Sequence, residues 1–588
     1  MFVSPVFVRE LVVAPRRPKH FIGRATYVAA LLMLICTAWL VLAGNQTISN
    51  IGDLAKFGTI LFQTLAPLQL TLALFFAALF TASSVAQEKD RRTLILLLMT
   101  DLSNVEVVLG KLSASMLNVL VLLFSALPLF MALLLLGGVE PSQIVAVYGV
   151  TVLGVFAAGS LGSTIALWRE KTFQTLALTV LTLTAWIAVW EVVGRTAGDI
   201  AIFGIAAEQW ATACSPWRAV LNATRPSTVS TPLVGGIPPG WMFVPVAIVI
   251  TTLLNAVAIW KVRVWNPSRE VRQKPTVADE AATVSGEPQD RVAAATGAQG
   301  GAKPHRQVWN YPVLWREVRT WAYGRKTLAI RLGYLTLAGC AVATAAQLGP
   351  WRVENHLIVA IPLFLLSLFL VNAQAVTSVC TERDAKTLDL LLVTDLSPKE
   401  FVFGKLGGVF YNTKEMVLLP IVYCLCLSWQ GHVSGENVCY IVAGLLVMNF
   451  FVAVLGVHCG LVHANSRVAV ATSMGTVFFL FVGIATCMRI MVAFSGSFGY
   501  QLAPFLAFML GGGVALYLSL GARNASTAIF CAAFTCPFLT FWAITSFLQH
   551  YTLGPFLVAS ATYIFTTLTM LIPAISEFDI VSGRATEG

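Results

Sequence analysis

Apolar residues fall in runs long enough to cross a bilayer, separated by short polar breaks. The runs lie at about 26–44, 59–86, 105–136, 143–168, 173–194 and 241–262, and again at about 328–348, 357–380, 399–429, 437–462, 468–494 and 553–575. A spanning helix needs roughly 20 apolar residues, so the pattern predicts twelve membrane-spanning helices. Residues 267–306 carry no apolar periodicity and are rich in Ala, Gly, Pro, Glu and Gln, the composition of a disordered linker. The expected organisation is a first six-helix unit at 1–265, a cytoplasmic linker at 266–308 and a second six-helix unit at 309–588. Within the second unit, 503–549 holds two further apolar stretches, expected either as external re-entrant helices or as two extra spans.

Internal repetition supports two units. The segment QEKDRRTLILLLMTDLSNVEVVLGKL from Gln87 matches TERDAKTLDLLLVTDLSPKEFVFGKL from Thr381 without a gap, at an offset of 294. The same offset joins Leu161-Gly162 to Leu455-Gly456. A second echo pairs PVFVREL from Pro5 with PVLWREV from Pro312. The predicted fold is therefore an all-α polytopic membrane protein of two tandem parallel repeats of six transmembrane helices, each with an N-terminal interfacial helix.

Composition strengthens the membrane reading. The chain is 57% apolar and 11% charged, against about 25% charged in soluble domains. That excludes a soluble enzyme, a secreted disulfide scaffold and a disordered protein. The net charge of +10 would raise nucleic acid as a partner in a soluble protein. Here it is explained by basic loops: with both starts inside, 30 of the 38 Lys and Arg are cytoplasmic and six are outside. The expectation is a multi-pass protein of the plasma (cytoplasmic, or cell inner) membrane with both termini cytoplasmic and no nucleic-acid partner. Met1 to Leu11 contains Arg9 and Glu10 and no small-residue cleavage site, so no cleavable signal peptide is expected. The 11 Cys are scattered without CxxC spacing, and no metal site is expected.

The duplicated segments at 87–111 and 381–405 carry the most information. Leu94, Leu97 and Leu98, like Leu388, Leu391 and Leu392, fall at i, i+3, i+4 on one helix face. Ser103-Asn104-Val105-Glu106 and Ser397-Pro398-Lys399-Glu400 read as capping boxes that start the third span of each unit. Each segment is thus a short amphipathic helix, a tight turn and a deliberate helix start: a shaped docking surface for a cytoplasmic partner.

These residues resemble the permease subunits of ABC transporters of the type-2 exporter class. The PVxxRE starts resemble that family's N-terminal connecting helix, and Ser215-Pro216-Trp217 and Ala503-Pro504-Phe505 resemble its external re-entrant region. The resemblance implies that the loop between spans two and three is a coupling helix. Glu88, Asp90, Thr93, Leu97, Asp101 and Glu106, with Glu382, Asp384, Thr387, Leu391, Asp395 and Glu400, would then contact ATPase subunits, two in number. Such permeases usually carry one six-span set per chain and dimerise; one chain would supply both halves here.

A phosphate-cradling loop needs G-x-x-x-x-G-K-[ST]. Gly110-Lys111-Leu112 and Gly404-Lys405-Leu406 fail it, and no LSGGQ-like stretch occurs. The chain is expected not to be an enzyme and to hold no cofactor, with ATP and Mg on a partner subunit. Lys414 and Glu415 form a candidate intramembrane charge pair, costly in lipid and therefore expected to face a partner or a cavity. The expected function is outward transport of a cargo the sequence does not name. The alternative is an ion- or proton-coupled secondary transporter, also commonly built from two parallel repeats.

Overall fold

The computed structural model describes residues 7–8, 18–45, 51–196, 201–202, 205–225, 239–266, 309, 311–319, 327–347, 353–392, 396–493, 498–522, 526–548, 552–576 and 578. The predicted linker at 267–306 and most of the first PVxxRE segment lie outside these residues.

The protein is a polytopic helical membrane protein. Among the described residues, 11 helices are long and apolar enough to cross a membrane, and three shorter apolar stretches, Phe21–Cys36, Leu328–Thr344 and Phe505–Leu520, accompany them. The first set comprises α1 (Pro18–Asn45), α2 (Ile51–Asp90), α3 (Thr93–Leu98), α4 (Asn104–Ser125), α5 (Leu127–Leu134), α6 (Pro141–Trp168) and α7 (Thr172–Thr196). Two strands of two residues, β1 (Ala201–Ile202) and β2 (Ile205–Ala206), pair antiparallel. Then follow α8 (Ala207–Cys214), α9 (Pro216–Ala223) and α10 (Phe243–Trp265). Beyond the linker lie α11 (Pro312–Arg319), α12 (Thr327–Gln347), α13 (Val353–Asp384), α14 (Thr387–Leu392), α15 (Pro398–Trp429), α16 (Gly435–Val462) and α17 (Ser466–Phe478). A π-helical turn, Phe479–Gly483, leads into α18 (Ile484–Ala493), and α19 (Phe498–Leu520), α20 (Thr527–Leu548) and α21 (Leu553–Ser576) complete the chain.

Helices α2 and α13 occupy the centre: 72% of the most apolar stretch of each is buried, against 22% for α10. Close packing depends on small residues. Gly162 of α6 sits on α2, where an added Cβ would lie 2.6 Å from Thr81 Oγ1 and 2.8 Å from the Ala78 carbonyl. Gly456 of α16 sits on α13, where a Cβ would lie 2.6 Å from Ala375 Cβ and 2.8 Å from the Val376 nitrogen. Small residues let backbones approach where lipid offers no hydrophobic drive between helices. Polar side chains add links across the helices: Asn372 Nδ2 donates to the Val452 carbonyl at 2.9 Å, and Ser473 Oγ donates to Asn372 Oδ1 at 2.9 Å.

The first helices cross over. α1 packs along α18 and α19, and α12 packs along α7. Along the seam between the two sets, α7 meets α13 and α17 meets α2. Phe75 lies against Phe369 at 5.3 Å between ring centroids, and these positions are 294 apart. Phe478 closes on Phe75 at 5.4 Å and on Phe76 at 6.5 Å.

The region after α7 differs from that after α18. α8 and α9 have eight residues each, about 12 Å at 1.5 Å per residue and too short to cross. α20 has 22 residues, about 33 Å and among the helices long and apolar enough; α19 has 23, with Phe505–Leu520 as its shorter apolar stretch. His458 Nε2, one turn from the end of α16, lies 2.9 Å from the carbonyl of Leu520, the last residue of α19.

Candidate functional site: two helical corners

The corner at α2–α3–α4 is set by local sequence. α2 stops at Asp90, and Arg92 takes φ 58°, the left-handed conformation that reverses the chain. Lys386, 294 residues later, does the same at φ 56°. For a residue with a Cβ this conformation costs of order 1 kcal/mol, so its surroundings must hold it. Thr93 Oγ1 donates back to the Glu88 carbonyl at 3.3 Å, and Thr387 Oγ1 to the Glu382 carbonyl at 3.1 Å. Each satisfies a carbonyl that the helix end leaves without an intrahelical partner.

Both predicted capping boxes are present. Ser103 Oγ accepts from the Glu106 amide at 3.3 Å while Glu106 Oε2 accepts from the Ser103 amide at 2.9 Å. Ser397 and Glu400 repeat this at 3.3 and 3.0 Å. They place α4 and α15 immediately after the turns.

Cations tie each corner to the neighbouring helix end. Lys89 Nζ donates to the carbonyls of Leu167 and Arg169, and Arg383 to those of Leu461 and His463. Both cations and all four carbonyls keep the 294 offset. A cation on the last carbonyls of α6 or α16 also meets the negative end of the helix dipole. Arg169, between α6 and α7, lies over the Trp168 ring at 3.4 Å, and burial lowers its pKa. Lys111, almost wholly buried, pairs with Glu88; Lys405 pairs with Glu382 at 2.7 Å.

Among the described residues the second corner carries more charge. Lys405 also meets Glu317 of α11 at 2.7 Å, and Arg316 pairs with Glu382. α11 can come this close because α15 presents glycines: a Cβ on Gly404 would lie 2.8 Å from Val313 Cβ, and one on Gly408 2.6 Å from Glu317 Cβ. At the first corner, Arg263 of α10 does the bracing. Its Nε donates to Asn104 Oδ1 at 2.7 Å, and its Nη atoms donate to the carbonyls of Leu98 and Leu102 at 3.3 Å.

The geometry gives several of the expected docking residues partners within the chain. The leucine face turns inward: Leu94 and Leu98 are buried and Leu97 partly so, packed with Val85, Val107, Leu167 and Val262. Leu388 and Leu391 likewise pack onto the core. Glu88 and Glu382 are held by buried lysines, Asp90 accepts from Thr172 Oγ1, Asp384 pairs with Arg91, and Glu106 and Glu400 close their capping boxes. These groups build the corner. Thr93, Thr387 and Asp101 are exposed; Asp395 lies outside the described residues. What α3 and the residue after it turn outward is Ile95, Leu96 (66% exposed) and Met99 (72%). Their signal was legible as the other side of the same helix.

Lys414 and Glu415 require a correction. Adjacent helical residues point about 100° apart, and the two have separate partners. Glu415 meets Arg331 of α12 at 3.1 Å, while Lys414 Nζ lies 4.7 Å from the Tyr411 ring centroid. Among the described residues no group of three or more His, Cys, Asp and Glu side chains could hold a metal ion. No family model matches the chain, and no curated protein matches it either.

Proposed function

We propose that the chain is the membrane-spanning permease of an ATP-driven ABC exporter of the type-2 class. α3 and α14 face the cytoplasm and dock two separate ATPase subunits, and the two helix sets are parallel repeats about an axis along the membrane normal. The observation that carries this reading is the pair of matched corners. Each is braced by the same turn, cap and ion pair at the same 294 offset, and the first turns Leu96 and Met99 outward. A motor outside the membrane needs a stiff lever with a free apolar face, because a compliant loop would absorb the stroke. In this reading the second repeat crosses eight times, α19 and α20 being full spans, and the seam at Phe75 and Phe369 opens to pass the cargo.

The test is a reconstitution with a soluble P-loop ATPase encoded beside this protein. The wild-type chain should co-purify with it and alter its ATP hydrolysis. Leu96→Glu with Met99→Glu should abolish both while leaving the chain inserted and its thermal unfolding unchanged, since both side chains are exposed. Transport that proceeds with no ATPase present, or binding indifferent to these substitutions, overturns the reading.

A further inference from the structure

The seam between the two helix sets closes on an ion pair as well as on aromatic rings. Arg91 follows α2 directly, and its guanidinium reaches across to Asp384, the last residue of α13: Nε lies 3.0 Å and Nη2 2.9 Å from the same carboxylate oxygen. The Asp384 side chain is 3% exposed and that of Arg91 46%. Arg467 of α17 crosses the seam in the opposite direction, donating to the Ser84 carbonyl at 3.4 Å, and Gln87 Nε2 lies 3.5 Å from Asn465 Oδ1. Beside these contacts Gln87, Asp90, Thr172, Cys380, Asp384 and Arg467 line a cavity of about 10 Å³, room for a single water.

The ion pair has no counterpart in the other repeat. The position equivalent to Arg91 is Ala385, and the position equivalent to Asp384 is Asp90, which accepts from Thr172 Oγ1 on its own side of the seam and from the Thr381 hydroxyl of α13 across it. Arg91 and Arg92 are the whole connection between α2 and α3, and Arg92 holds the left-handed turn.

We propose that Arg91–Asp384 is a lock on the seam, worked by α3: tilting the short helix withdraws the guanidinium from the carboxylate and frees α2 from α13. This rests on α3 being the docking element. The lock itself is testable without any partner.

Cys380 is the reporter. It is a free thiol, 2% exposed, one turn before Asp384 and on the cavity wall. Cys459 of α16, fully buried, is the control. The purified full-length chain in lipid nanodiscs is treated with N-ethylmaleimide, and each cysteine's labelling rate is read by peptide mass spectrometry. Arg91→Ala and Asp384→Asn should each raise the Cys380 rate by about two- to fivefold, the upper part of the range for one partly exposed ion pair, and leave Cys459 unchanged. Exchanging the charges, Arg91→Asp with Asp384→Arg, should restore slow labelling. Single variants that label Cys380 at the wild-type rate overturn the lock. So does Cys459 rising in parallel, which would mean a loosened fold, and so does an exchanged pair that labels as fast as the singles. ATPase binding by the same variants is measured separately: lost binding with intact Cys380 protection counts against docking at α3, not against the lock.

Discussion

The two corners share a backbone and differ in their charges. Around Lys111 the described residues place one carboxylate, Glu88, with 29% of its side chain exposed. Around Lys405 they place two, Glu317 and Glu382, at 2% and 14%, with Arg316 behind. The left-handed turn, the threonine bond, the capping box and the cation on the neighbouring helix end are nonetheless the same in both. Backbone geometry is therefore held by local caps and apolar packing, whereas the ion network sets how much each corner loses when one charge is removed.

The largest effect should come from Lys405→Met. It leaves Glu317 and Glu382 to share the half-exposed Arg316 in place of a buried lysine, and removing one member of a buried ionic cluster costs about 3–5 kcal/mol. Thermal unfolding in a fixed detergent, followed by tryptophan fluorescence, should show a large drop in Tm. Adding Glu317→Gln should recover part of it, since one uncompensated charge is then gone. No recovery would mean that Lys405 matters through packing alone.

Next come the glycine contacts. Gly456→Ala forces a Cβ to within 2.6 Å of Ala375 Cβ, and Gly162→Ala to within 2.6 Å of Thr81 Oγ1. Overpacking of this kind costs about 1–3 kcal/mol. The two losses should be similar, because each Cβ also meets backbone at 2.8 Å, the Ala78 carbonyl for Gly162 and the Val376 nitrogen for Gly456. A clearly smaller loss for Gly162→Ala would show that rotation of Thr81 relieves most of the crowding.

Lys111→Met sharpens the comparison directly. It strands Glu88, the one carboxylate that the described residues place there, a loss of about 1–2 kcal/mol, so the Tm shift should be clearly smaller than for Lys405→Met. If the two shifts match, the second carboxylate contributes nothing. The smallest effects should come from the caps: Ser103→Ala and Ser397→Ala should each cost about 1 kcal/mol, alike in both corners because the boxes are alike. Unequal losses would show that the ion network also steadies the turn.

Charge reversal at Glu88 or Glu382 would be a simple probe of docking if both were solvated loop charges. The structure makes them poor probes: reversal would set a cation beside buried Lys111 or Lys405 and perturb the corner itself. Leu96 and Met99 are the better positions, because they touch little.

Much of this was written in local order. Runs of about 20 apolar residues specify spanning helices because lipid leaves the backbone no other partner. Ser-x-x-Glu at a fixed spacing specifies a helix start because hydroxyl, amide and carboxylate lie within four residues of one another. The 294 offset is equally a property of the string, which also holds two apolar stretches at 503–549; whether they formed short or long helices was left open by the string and decided by the fold. Other features depended on residues far apart in the chain coming together. The leucine face of α3 is apolar in any reading, but only the packing of α6 and α10 beneath it turns it inward and leaves Leu96 and Met99 outside. Arg91 and Asp384 are 293 residues apart, and a carboxylate's partner is chosen by what the folded helices bring within 3 Å. Lys414 and Glu415 look paired in the string because they are adjacent, yet a helix turns about 100° per residue, and tertiary packing gave Glu415 to Arg331 instead.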